Sequence, residues 1–149
     1  MAKWYADNVA LDWMDLRARV MSLLQEESEL EEIVKLVGMD ALSDTDRIKL
    51  EAARSIREDF LHQNAFHETD TYTTLNKQYH MMQLVMAFYD KSIAALPMGA
   101  QLNALIDMPI RERIGRFKYV KEDEVEQVYN DILHNLDVDI DNIIEKREE

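Results

Sequence analysis

Residues 57–72, "REDFLHQNAFHETDTY", gather the side chains of this chain that could do chemistry. They include His62 and His67, the carboxylates Glu58, Asp59, Glu68 and Asp70, and Phe66 alone in a polar run. Three uses fit such a set: metal ligation, catalysis, or one wall of a site completed elsewhere. The metal reading rests on Asp59 and His62, three residues apart, and on the same spacing at Asp131 and His134. Helical di-metal proteins use E-x-x-H pairs and two further inward glutamates. Here both acids are the shorter Asp, and no isolated Glu stands on an apolar face, so no metal is expected. His62 then reads as a surface residue at a helix end and His134 as a surface residue on the last helix. His67, Glu68 and Asp70 suit the capping of a helix that starts near Thr74. Serines and histidines are present, but no local signature brings them together as nucleophile and base, so no catalytic residue is assigned. Phe66 remains as a flat apolar surface in a polar loop, able either to accept a π-face or to staple the loop to the body of the protein.

The elements that must position these residues are helical. Among 149 residues there are only three glycines and two prolines, too few turn residues for an all-β or doubly wound fold. From Trp13 to Leu36 apolar residues recur with helical period, and the acidic run "QEESELEE" interrupts them. This predicts one long helix, or two with a kink near Glu27. Gly38 ends the unit as a C′ glycine. Ser43 is a good N-cap, with Asp46 in the capping-box position, for a helix burying Ile48, Ala52, Ile56 and Phe60. Arg47–Glu51 and Arg54–Glu58 would pair on its outer face. From Thr74 to Leu96, Leu75, Tyr79, Met82, Met86, Tyr89, Ile93 and Leu96 make a heptad seam, widened by Met81, Val85 and Phe88. The extra positions favour a central bundle helix over a coiled-coil contact. Pro97 ends it. A short helix is expected around Gln101–Ile106, another with Pro109 at its first position, and a final one over Glu122–Lys146 with "EKREE" fraying. "GRFKYV" is the only strand-like piece. The expected fold is all-α, a single bundle of about six to eight helices.

Bulk properties exclude several classes. Seventeen basic and thirty acidic residues give a net charge of −13, which argues against nucleic acid and anionic membranes and suits a basic protein partner. Cysteine is absent, so disulfides and thiolate chemistry are excluded, as fits a cytosolic protein. No apolar run approaches membrane-spanning length, and Asp7 and Asp12 interrupt what would be the apolar core of a signal peptide. Neither G-x-x-x-x-G-K-[ST] nor G-x-G-x-x-G occurs, so the chain has no phosphate-cradling loop of its own. On these grounds alone an interaction domain ranks ahead of an enzyme.

Three stretches taken together resemble a known family. "ELEEIVKLVGMDALSDTDR", "ARSIREDFLHQNAFHETDTY" and "KQYHMMQLVMAFYDK" resemble the C-terminal helical domain of the catalytic A subunit of A-type (archaeal) and V-type rotary ATP synthases. The resemblance covers about residues 4–120, and the last helix by position only. The first stretch is similar to the segment leading into the acidic torque loop, which reads D-E-L-S-E-E-D in the F-type β subunit. Here that loop is Asp40, Ala41, Leu42, Ser43, Asp44, Thr45 and Asp46, with Ala41 and Thr45 where the F-type pattern has glutamates. The second ends in the family's adenine-facing loop, and "QNAF" in place of Q-P-F favours the A/V type.

The resemblance implies that Phe66 packs against the adenine ring while Gln63, Asn64 and Ala65 shape the pocket rim. It implies a C-terminal domain spanning residues 1–149, with the P-loop, the catalytic glutamate and the β-barrel lying N-terminal to it in the intact subunit. It further implies B subunits and central-stalk subunits as partners, and ATP or ADP with Mg²⁺ as the intact subunit's ligands, none bound by this piece alone. The location implied is the soluble, cytoplasmic ATPase head, peripheral to the membrane and not inserted in it. The other readings are a free-standing helical adaptor and the di-metal enzyme.

Overall fold

The computed structural model describes residues 2–58 and 75–148. Among them the chain forms six α-helices: α1 (Ala2–Val37), α2 (Asp44–Ile56), α3 (Leu75–Ala95), α4 (Leu102–Ile106), α5 (Ile110–Arg116) and α6 (Val125–Glu148). Short 3₁₀ turns link them at Met39–Ala41, Leu96–Met98, Phe117–Tyr119 and Glu122–Glu124. The all-α expectation holds: no described residue lies in a strand.

α1 is a single helix of 36 residues, with no break at Glu27. No glycine or proline interrupts it, and those are the usual causes of a kink. Glu27 instead turns inward and is only 6% exposed. Arg57 reaches it from beyond the end of α2, with Nη2 at 3.2 Å from Oε2, and also approaches Glu31. α3 is the central element, packed against α1, α2, α5 and α6. Met81, Val85 and Phe88, the residues that widen its seam, are as buried as Met82 and Met86 on it. A two-helix seam would leave those flanks wet, so the bundle reading is correct. One core joins Val20 and Leu23 of α1, Ile48, Ala52 and Ile56 of α2, Leu84 and Phe88 of α3, and Val125, Ile132 and Leu136 of α6.

Three details differ from expectation. "GRFKYV" is not a strand: Gly115 and Arg116 complete α5 and Phe117–Tyr119 form a 3₁₀ turn. The turn drives Phe117 fully into the core, and that burial decides a conformation too short to be legible from period. The last helix continues through residues 145–148 rather than fraying at Glu145. Pro109 stands one place earlier than expected, at the N-cap of α5 rather than its first position.

Candidate functional site

The corner between α1 and α2 is built from backbone chemistry. Gly38 adopts φ +92°, ψ 166°, which only glycine tolerates at low cost. Its N–H still donates to Val34 O at 2.9 Å, closing the last turn of α1. Met39–Ala41 then make one 3₁₀ turn, and the Leu42 N–H donates to Met39 O at 3.1 Å. Leu42 is 9% exposed and anchors the corner to the bundle. Ser43 caps α2 as expected, its Oγ accepting from the Asp46 N–H at 3.1 Å.

Two kinds of exposed residue share this corner. Asp40 and Asp44 are exposed and Asp46 is half-buried. None of the three has an ion-pair partner among the described residues. Beside them stand large apolar side chains: Leu36 is 83% exposed, Val37 67% and Met39 44%. Of the predicted loop, Asp40, Ala41, Thr45 and Asp44 therefore face solvent, whereas Leu42 holds the corner down and Ser43 and Asp46 also serve the helix start. Val37 continues the helical apolar recurrence of α1 in sequence, yet it and Leu36 lie past the end of the surface that α2 and α3 cover.

Gln63, Asn64, Ala65 and Phe66 lie outside the described residues, as do Asp59, Phe60, His62, His67, Glu68 and Asp70. Asp131 and His134 are both exposed on α6. Among the described residues no group of three His, Asp or Glu side chains is placed to hold a metal ion. No described helix is long and apolar enough to cross a membrane.

Arg111 is the polar residue that sequence reading missed. Its guanidinium donates to Glu51 Oε2 at 2.9 Å, Ile106 O at 2.8 Å, Ser55 Oγ at 2.9 Å and Glu51 O at 3.2 Å. The Phe88 ring lies 4.8 Å away. Glu51 thus serves Arg111 of α5 and not Arg47 of its own helix, while the expected Arg54–Glu58 pair does form, at 3.1 Å. One signal was available: Arg111 and the core residue Ile114 are three apart, so the cation rides an inward-facing row. His80 of α3 is a buried polar residue, and its Nδ1–H donates to Asn76 O at 2.7 Å. Tyr129 of α6 meets its ring edge-on at 4.7 Å between centroids.

Comparison with known families decides what this arrangement belongs to. The family described as the C-terminal domain of V and A type ATP synthase matches residues 2–106. The chain belongs to that family. It is 53% identical over 146 residues to the V-type ATP synthase alpha chain of Acetivibrio thermocellus, covering 98% of this chain and 25% of that protein. The V-type ATP synthase alpha chain of Clostridium botulinum strain Okra is 53% identical over 146 residues, with 98% and 24% covered. That of Clostridium perfringens strain SM101 is 52% identical over 144 residues, with 97% and 24% covered. The chain therefore spans about a quarter of the length of these relatives. The alignments run through α6, which the three sequence motifs reached by position only. This membership sets the chain apart from a helical adaptor unrelated to ATP synthases.

Proposed function

We propose that the chain is the lever of a rotary ATP synthase or ATPase: the C-terminal domain of a catalytic A-type subunit that transmits nucleotide state to a central stalk. In this reading a P-loop domain N-terminal to it binds ATP or ADP with Mg²⁺, beside B subunits, in the cytoplasmic head peripheral to the membrane. Closing of that domain tilts the bundle, and the corner formed by Asp40, Ala41, Leu42, Ser43, Asp44, Thr45 and Asp46 pushes or follows the stalk. Such coupling needs an element that moves as a body between two states biased by ligand. Gln63, Asn64, Ala65 and Phe66 supply the adenine-facing wall, Phe66 stacking as aromatic side chains do on bases. Hydrolysis belongs to the intact subunit, because phosphoryl transfer requires phosphate-cradling and Mg²⁺-holding groups and this sequence carries no phosphate-loop pattern.

The observation that carries the reading is the corner itself. A glycine-broken, serine-capped turn holds two unpaired carboxylates and three exposed apolar side chains at one end of a 36-residue helix. Exposed ion pairs contribute about 0–1 kcal/mol each and are screened by salt, so shape and apolar contact carry more of the push than charge does. The test is ATP-driven rotation in a reconstituted complex containing the full-length subunit. Asp40→Asn/Asp44→Asn should lower torque modestly, whereas deletion of residues 41–45 should lower it severely. That deletion also removes Leu42 and the Ser43 cap. Leu36→Ser/Met39→Ser, which changes only exposed side chains, therefore supplies the fold-neutral arm. It should cost more torque than the double Asn variant. Normal torque in both the deletion and the Ser variant would remove the corner from the stalk contact.

A further inference from the structure

We propose that the basic face around α5 is a docking surface for an acidic segment of a neighbouring polypeptide. The first observation is charge segregation. Residues 110–121, "IRERIGRFKYVK", hold five cations and one carboxylate, net +4, within a chain of net −13. The second is pairing. Elsewhere Arg19 pairs with Asp90, Arg57 with Glu27 and Glu31, and Lys91 with Asp137, while Arg17, Lys35, Arg47 and Lys146, which make no ion pair among the described residues, are scattered along the chain rather than clustered. Arg111 is consumed inside by Glu51. Arg113, Arg116, Lys118 and Lys121 make no ion pair among the described residues. Leaving four neighbouring cations unpaired in so acidic a chain points to a carboxylate supplied from outside.

The geometry suits an extended segment. Arg113 and Arg116 are exposed one turn apart on α5. Both line an open cleft of about 420 Å³ between α5 and α6. Arg116 also lines a second cleft, of about 390 Å³, with Lys118 and Tyr119. The Lys118 Nζ lies 5.3 Å from the centre of the Tyr119 ring, and Tyr119 is 61% exposed. An exposed aromatic among cations is an anchor for a side chain lying beside the partner's carboxylates. Glu112 lines both clefts, Glu58 one and Asp139 the other, so an occupant must reach the arginines while keeping its own charge off these carboxylates, which a segment with spaced acidic side chains does better than a compact phosphate. A long nucleic acid is disfavoured by the net charge. This face lies beyond residues 2–106, the part that the family description matches, and is separate from the α1–α2 corner.

The probe is a synthetic hexamer of alternating Asp and Glu with one Trp, compared with its Asn/Gln counterpart, titrated into the whole chain and followed by amide NMR. Shifts should centre on residues 113–121 for the acidic peptide alone and weaken as salt rises, since the pairs are exposed. Arg113→Glu/Arg116→Glu should lower affinity about tenfold or more, Tyr119→Ala about threefold, with melting temperature unchanged for both. The charge-matched control Arg17→Glu/Arg47→Glu should leave affinity within about twofold. Equal loss in the two charge-reversed variants, or shifts spread over the surface, would overturn the proposal. So would tighter binding of inorganic pyrophosphate or a short oligonucleotide at residues 113–121. Either result leaves the lever reading untouched, because the corner is not varied.

Discussion

Arg111 and Glu27 are the two charged side chains whose surroundings make testable demands. Arg111 ties α5 to α2 and to the α4 carbonyl of Ile106, with its side chain 19% exposed and that of Glu51 23%. Arg111→Ala leaves a half-buried carboxylate and a serine without their donor. Breaking a fully buried pair costs about 3–5 kcal/mol; partial exposure brings the expectation to about 2–3 kcal/mol, read as a shift in urea midpoint. Arg111→Lys should recover less than half, since an ammonium cannot span the four acceptors of the planar fork. A loss below about 0.5 kcal/mol for the alanine variant would mean that the clasp is ornamental. Glu27 titrates in the other sense. Burial pushes its carboxyl above the ordinary value of 4.5, Arg57 opposes the shift and Glu31 adds to it. The native state therefore holds this proton more tightly than the unfolded chain does. The contribution of Glu27 to stability then falls as pH rises from 4.5 through the raised native value. Glu27→Gln should remove that decline. The melting temperature of the Gln variant minus that of the parent should grow with pH across this window and level off above it. A constant difference would show that the native carboxyl is not raised above its unfolded value.

At the scale of elements, the α1–α2 corner depends on one backbone conformation. An added Cβ at Gly38 would meet nothing within 4 Å, so Gly38→Ala tests φ and ψ without a steric contribution. It should cost about 1–3 kcal/mol, more than the roughly 1 kcal/mol expected for loss of the Ser43 cap in Ser43→Ala. Urea unfolding of both variants checks the order, and a neutral Gly38→Ala would mean that the corner re-forms without glycine. Helix starts and stops were readable here because Gly38, Ser43 and Pro97 act locally. The 3₁₀ turn at Phe117 was not, because its residues have strand-like types and its conformation is decided by the core that Phe117 enters.

For the molecule as a whole, the proposed separation of lever from chemistry predicts that the purified chain turns over no ATP. The phosphate loop and Mg²⁺ ligands carry nearly all of phosphoryl-transfer catalysis, and a stacking wall alone gives only weak nucleotide binding. A phosphate-release assay against a mock purification checks it. Turnover above that control, or sub-micromolar ATP binding by calorimetry, would contradict the proposed division of labour.

Helical period, the punctuation at Gly38, Ser43 and Pro97, the acidic balance and the resemblance of three stretches to one family were all legible in residue order. Each depends on neighbours within a turn or two, or on composition, so no docking had to be known. Tertiary packing decided the rest. The α3 seam is internal only because four helices surround it. Arg111 meets Glu51 across 60 residues of chain, displacing the local pair with Arg47 that spacing favoured. Glu27 is buried where Arg57 meets it from beyond the end of α2, and Leu36 stayed outside because α1 outruns the surface that covers it. Which of the scarce cations would be left without a carboxylate was also settled by docking. Side chains far apart in sequence pair only after helices take their relative positions, and helical period says which face is apolar but not which face is covered.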